Sequence, residues 1–216
     1  QHIFVSPKYQ NSLLLEQLNK QSIDIYQCSD GIMKKINNSS FLSPIIAVAA
    51  ITKTTLEHHS DFVLTLENIQ DQGNLGTLVR TACALGVRQL CAVGTSCDMY
   101  NRKTINASRG TCFHVRKNDF AKIEDVISCL REKGYQIIAT SPRGRQLQSN
   151  VELQQKPVAL IVGNETEGVS DAVFAAADAV VQIPMSTQIE SINVGVAAGI
   201  SLYEIKLKGI IAMLSE

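Results

Sequence analysis

The chain has 216 residues, 45% of them hydrophobic and 19% charged, which is the composition of an ordinary globular protein of one large domain or one domain plus a smaller one. Lys plus Arg and Asp plus Glu are both 20, so the whole-molecule field favours no polyanionic partner and any such surface has to be local. The six cysteines form no C-x-x-C pair and no His stands at metal-ligand spacing, so neither a zinc site nor a disulfide framework is expected. Reduced thiols in a reducing, cytoplasmic compartment are the expectation instead.

Residues 1 to 52 carry a helical pattern (Leu13, Leu14, Leu15, Leu18), the strand candidate "SIDIYQ", a second helix "GIMKKI" and the strand-like "PIIAVAAI". They predict part of a small separate α/β module. The apolar run from Ile45 to Ile51 is too short to span a membrane. The chain opens on Gln1 and not on Met, as expected of a trimmed or partial N-terminus. The polar stretch 53 to 60 is the expected linker, with His58 and His59 solvated.

From residue 61 short apolar runs alternate with amphipathic stretches: "FVLTLE", "GTLVRTACALGV", "QLCAVG", "IEDVISCLREKG", "YQIIAT", "PVALIVG" and "AVVQIP". Val and Ile runs of these lengths suit strands covered on both faces, so the fold class expected for 61 to 216 is α/β, a parallel sheet with helices on both faces. "GNETEG" lacks the Lys and Ser or Thr of a Walker loop, and Gly73 and Gly76 lack the third glycine of a dinucleotide fingerprint.

Ligands of open α/β sheets bind at the carboxyl ends of strands, and three such junctions are rich in polar groups. In "ENIQDQGNLGTLVRTA" Asn74 stands where a helix cap is expected and Arg80 a little under two turns along, within reach of one phosphate or hydroxyl; an ordinary cap and a surface arginine fit the same residues. In "LIVGNETEGVSDAV" Gly163 permits close approach of backbone to a ligand, Glu165 is placed to accept hydrogen bonds, and Ser170 or Asp171 caps the next helix; a plain turn is the alternative. In "IPMSTQIESINVGVAAGISLYEI" Gln188, Glu190, Ser191 and Asn193 precede a helix with Gly195, Ala197, Ala198 and Gly199 at its start. Capping accounts for one such polar residue and not for four, which points to a ligand pocket.

These three stretches, in this order, resemble the three motifs of the SpoU (TrmH-like) branch of the SPOUT RNA methyltransferases: N-x-G-x-x-x-R, G-N-E-x-x-G, and I-P-M followed by E-S-L-N-V-S-x-A. Here they read "NLGTLVR", "GNETEG" and "IPMSTQIESINVGVA", and the resemblance covers residues 61 to about 208. The N-terminal piece is similar to the end of an L30e-like RNA substrate domain. The resemblance implies a C-terminal trefoil knot, a homodimer, and S-adenosylmethionine as cofactor for methylation of a ribose 2′-hydroxyl in structured RNA, rRNA ahead of tRNA. The sulfonium is the electrophile, so no metal is implied, and no membrane partner.

Carried over by position, Gly163, Ile183, Met185 and Ile192 would hold the cofactor, and Asn74, Arg80, Glu165, Ser191 and Asn193 would be the polar groups at the reaction centre. Gln72 stands where Pro is common, Thr166 where Gly is, Ile192 for Leu and Gly195 for Ser; Ile192 is nearly volume-neutral, whereas Thr166 and Gly195 put the shape of one loop and one hydroxyl contact in question. A catalytically silent RNA binder is the alternative, and retention of Asn74, Arg80, Glu165 and Asn193 speaks against it. Arg102, Lys103, Arg109, Arg116, Arg143 and Arg145 are the basic groups expected to meet RNA.

Overall fold

The computed structural model describes residues 1–52, 54–56, 60–146, 153 and 156–214. It divides into two compact units, Gln1–Thr52 and Lys53–Glu216. His58 and His59 lie outside the described residues. Of the stretch expected as linker, Thr54 donates to the Lys117 carbonyl at 2.8 Å and Leu56 is buried, so this part is packed on the second unit.

The first unit runs β1 (His2–Val5), α1 (Ser12–Lys20), β2 (Asp24–Gln27), α2 (Asp30–Ile36) and β3 (Ile45–Val48). β1 is central, parallel to β2 and antiparallel to β3. Ile3, Val5 and Met33 form its buried interior. The leucines of α1 give the helix its amphipathic pattern, and Asn11 caps it by accepting from the Leu14 amide at 3.1 Å, yet none of its residues is fully buried.

The second unit contains β4 (Phe62–Glu67), α3 (Gln72–Ala84), β5 (Gln89–Val93), α4 (Arg102–Ala107), β6 (Arg116–Phe120), α5 (Ile123–Glu132), β7 (Gln136–Gln146), β8 (Val158–Val162), α6 (Asp171–Ala176), β9 (Ala179–Gln182) and α7 (Val194–Leu214). Its sheet has the order β6-β5-β4-β8-β7-β9, with every pairing parallel. Successive side chains of a strand point to opposite faces. Leu64, Leu66, Leu160 and Val162 therefore join one core with Leu78 and Val79 of α3 and Ala198, Leu202 and Ile205 of α7. Val63, Ala159 and Ile161 join the other with Val126 and Leu130 of α5 and Val173 of α6. The expected α/β sheet covered on both faces is the fold of this unit.

Helix α3 ends as helices that close on a left-handed residue do: Gly86 has φ +84° and the Val87 amide returns to the Ala82 carbonyl at 2.9 Å. The chain is thereby re-aimed into β5. In β7 both Thr140 and Arg145 stand opposite Val181, so residues 141–144 bulge out of the sheet. A Cβ at Gly144 would lie 2.7 Å from the Val181 carbonyl carbon, so only glycine lets the bulge return across β9.

All six cysteines are free, with Cys91 and Cys112 buried. Burial pushes the Cys91 thiol up to about 12, with Cys129 adding to the effect, which leaves this group protonated and unreactive at neutral pH.

Candidate active site

The carboxyl ends of β7, β8 and β9 meet at one end of the sheet, and β7 with the segments that follow β8 and β9 encloses a cleft of about 530 Å³. Its walls are the β7 bulge (Thr140 to Arg143), the loop Gly163 to Val169, and the segment Ile183 to Ile192, closed by Phe174, Val194 and Ala197. The apolar part is Phe174, Val181, Ile183, Met185 and Ile192. The polar part includes the carboxylates of Glu165, Glu167 and Glu190 against one guanidinium, Arg143, which sits 5.8 Å from the centre of the Phe174 ring.

Three groups from three distant segments are linked at the rim. Asn193 donates through Nδ2 to Asn74 Oδ1 at 2.7 Å, and Asn74 donates through Nδ2 to Glu165 Oε1 at 2.6 Å. Asn193 also accepts from the Gly195 amide at 2.9 Å and so caps α7. Each residue in this chain thus fixes the next, across sequence separations of 119 and 91 residues.

Helix α3 starts earlier than its apolar pattern suggests. Its cap is Asp71, which accepts from the Asn74 amide at 2.7 Å, and Asn74 lies inside the first turn with its side chain free to make the rim bonds. This corrects the assignment of Asn74 as the cap. Arg80 is exposed, does not line the cleft, and lies about 240° round the helix axis from Asn74.

The loop after β8 is held from below. Glu67 at the end of β4 is 4% exposed and accepts from the Ser170 amide at 2.9 Å, at the start of α6. Ser170 is that cap position but makes no side-chain cap bond. Asn164 donates to the Asn68 carbonyl at 3.1 Å and accepts from the Thr166 amide at 2.8 Å. Thr166 is not among the positive-φ residues, so the loop makes no demand for glycine there.

Gly163 is buried for a reason other than ligand approach. A Cβ there would collide with the Gly168 carbonyl and the Val169 amide nitrogen, so the glycine lets the loop fold back on its own strand. Gly195 has a similar role between helices: a Cβ would lie 2.9 Å from Thr77 Cγ2 of α3. Gly195→Ala is therefore expected to destabilise the protein by about 1–3 kcal/mol through overpacking. In denaturant titrations the Thr77→Ala background should remove most of that cost, whereas equal costs in both backgrounds would contradict the contact.

The SpoU rRNA Methylase family model matches residues 61–203. The chain belongs to this family. It is 31% identical over 90% of its length to an uncharacterised tRNA/rRNA methyltransferase of Synechocystis sp., covering 71% of that protein. It is also 31% identical to the 23S rRNA (guanosine(2553)-2′-O)-methyltransferase RlmP of Bacillus subtilis, over 85% of this chain and 73% of RlmP. Among solved structures, an AdoMet-bound rRNA methyltransferase from Sinorhizobium meliloti superimposes with a TM-score of 0.84 at 24% identity, over 94% of this chain and 78% of that one.

Of the residues expected at a SpoU site, Gly163, Glu165, Ile183, Met185, Ser191 and Ile192 line the cleft, Asn74 and Asn193 stand at its rim through Glu165, and Arg80 stands apart. Glu67 ends its strand as expected, but its bond to the Ser170 amide and the β7 bulge were not anticipated. "SPRG" directly after the strand "YQIIAT" was the available signal for the bulge, since it too follows a strand end.

Proposed function

We propose that the chain transfers a methyl group from S-adenosylmethionine to a ribose 2′-hydroxyl of structured RNA, rRNA first and tRNA second. The observation that carries this reading is the hydrogen-bonded chain Asn193–Asn74–Glu165 at the rim of the cleft, which ties together the three segments matching the family's motifs.

The cleft suits the cofactor. Its volume lies in the range of small-molecule sites, its apolar wall can take an adenine, and three carboxylates against one guanidinium favour a cationic ligand. The backbone of residues 163–168 and 183–193, with Ile183, Met185 and Ile192, would hold the nucleoside and amino-acid parts. When bound, S-adenosylmethionine supplies a methyl group on a sulfonium. What remains for the protein is to hold the ribose oxygen in line and take up its proton.

A guanidinium has donors and no acceptor, so Arg80 serves as a clamp on the neighbouring phosphate that polarises the hydroxyl, and the proton leaves to a phosphate oxygen or water. Ser191 and Asn193 orient the ribose. An exposed clamp that does not line its own cleft fits a homodimer in which Arg80 serves the partner's site. The exposed apolar stripe of α7, Val196 (50%), Ile200 (38%), Tyr203 (56%) and Leu207 (39%), recurs every three or four residues and supports that assembly. The C-terminal knot and the role of Gln1–Thr52 as part of an L30e-like substrate domain belong to the same reading. So does a cytoplasmic site of action, supported by the six free cysteines.

Incubation with methyl-labelled S-adenosylmethionine and total rRNA or tRNA tests the activity: label retained in RNA is expected, and its absence with cofactor bound would contradict the proposal. Mixing Arg80→Ala and Asn193→Ala chains tests the shared site. Partial recovery in the mixed dimer is expected; no recovery, with heterodimers formed, would confine each site to one chain.

A further inference from the structure

Between Asp98 and Asp119 the chain carries Arg102, Lys103, Arg109, Arg116 and Lys117 and no acidic residue, in a protein whose formal net charge is zero, and of these Lys117 is paired with Asp119 at 2.6 Å. On this segment sits an aromatic pair. Phe113 is 65% exposed, and its ring stacks on that of Tyr100 with centroids 6.2 Å apart and planes 23° from parallel. Cys112 and Val115 on either side are buried, so the short helical turn Thr111–His114 is anchored in the core while Phe113 is turned out to water. An exposed phenylalanine backed by a second ring presents a flat apolar face.

The turn that presents it is unusual. Arg109 has φ +54° and Gly110 φ +79°, so two successive residues are left-handed, and one of them carries a side chain that this conformation disfavours. The Phe113 amide returns to the Gly110 carbonyl at 3.2 Å, which closes the turn and keeps the exposed Arg109 on the same short loop as the ring. The segment is also seated firmly on α3: a Cβ at Gly76 would collide with Ala107 and would lie 2.9 Å from the Ser108 amide nitrogen. Gly76 is two residues from Asn74.

We propose that Phe113, backed by Tyr100 and flanked by Arg109, is a stacking platform for an unpaired base of the RNA substrate, with Arg109 on an adjacent phosphate. The inference rests on the RNA reading of the active site and specifies that the RNA is single-stranded or flipped out where it crosses this surface. Aromatic rings capture unstacked bases regardless of sequence, and a base in a duplex already has its neighbours. The cationic segment supplies the phosphate attraction that the protein as a whole lacks.

The chain contains no tryptophan, so Phe113→Trp installs a single fluorescent reporter on the platform. Titration with a single-stranded oligouridylate is expected to quench its emission, and a blunt RNA duplex is expected to leave it bright. Phe113→Ala should weaken oligouridylate binding roughly tenfold while Phe113→Tyr stays close to wild type, and Arg109→Ala should reduce the log-log salt slope by about 0.7. A reporter that stays bright with oligouridylate bound, equal quenching by duplex, or unchanged affinity of Phe113→Ala would overturn the platform. An emission change on concentrating the protein without RNA would assign the surface to a second copy and overturn it too. Methyl transfer measured in parallel separates the two claims: methylation of RNA without quenching sinks the platform alone, and quenching without methylation of any RNA supports the platform and sinks the enzymatic reading.

Discussion

Asn74→Ala is expected to lower the rate of methyl transfer roughly a hundredfold, the size of effect seen when one positioned hydrogen-bond donor is removed from a catalytic site, while S-adenosylmethionine affinity stays within about threefold. The separation follows from position. Asn74 does not line the cleft, but it accepts from Asn193 and donates to Glu165, so its removal frees both neighbours and leaves the walls in place. Its bonds are partly exposed, so stability should fall by only about 1 kcal/mol. Glu165→Gln keeps an acceptor for Asn74 and removes a charge from the cleft, so it should weaken cofactor binding more than Asn74→Ala does. Calorimetry and single-turnover kinetics on the two variants check this; equal losses of affinity in both would contradict a positioning role for Asn74.

Gly163→Val is expected to act on the fold before it acts on the ligand. The added side chain would meet the Gly168 carbonyl and Val169 backbone, which cannot move without opening the loop over the cleft. A loss of about 3 kcal/mol or more in stability is expected, together with loss of cofactor binding. Thermal denaturation checks it. A variant that melts as wild type does and merely fails to bind would restore the simpler view that Gly163 leaves room for the ligand.

The central strands were legible because a strand covered on both faces is a continuous apolar run, as in "FVLTLE" and "VALIV", and α5 was legible from its amphipathic period. β6 was not: "RKNDF" is an edge strand of which only Asn118 is fully buried, its amide bonded to the Leu90 carbonyl, and such a strand has no apolar pattern to read. The start of α3 was misjudged because Asp71 and Asn74 are both cap-type residues and the apolar period begins only at Leu75. The polar residues of the site were legible as types in motifs. Their division into wall, rim and exposed groups was not, because Asn74 and Arg80 share a helix whose rotation places them on different sides.

Gly163 shows the same limit in another form. Read along the chain, a glycine near a pocket suggests space for a ligand. In the fold it admits its own loop. Thr166 is the converse: a departure from a glycine-rich pattern that costs nothing, since its backbone is not left-handed.

The most direct measurement of the central claim is to react the protein with methyl-labelled S-adenosylmethionine and RNA, digest the product to nucleosides with and without alkali, and locate the label by mass spectrometry. A methyl on the ribose, leaving an alkali-resistant dinucleotide at the modified position and strongly reduced in Asn74→Ala, is the expected result. Label on a base, or alkali-sensitive throughout, would contradict 2′-O transfer at this site.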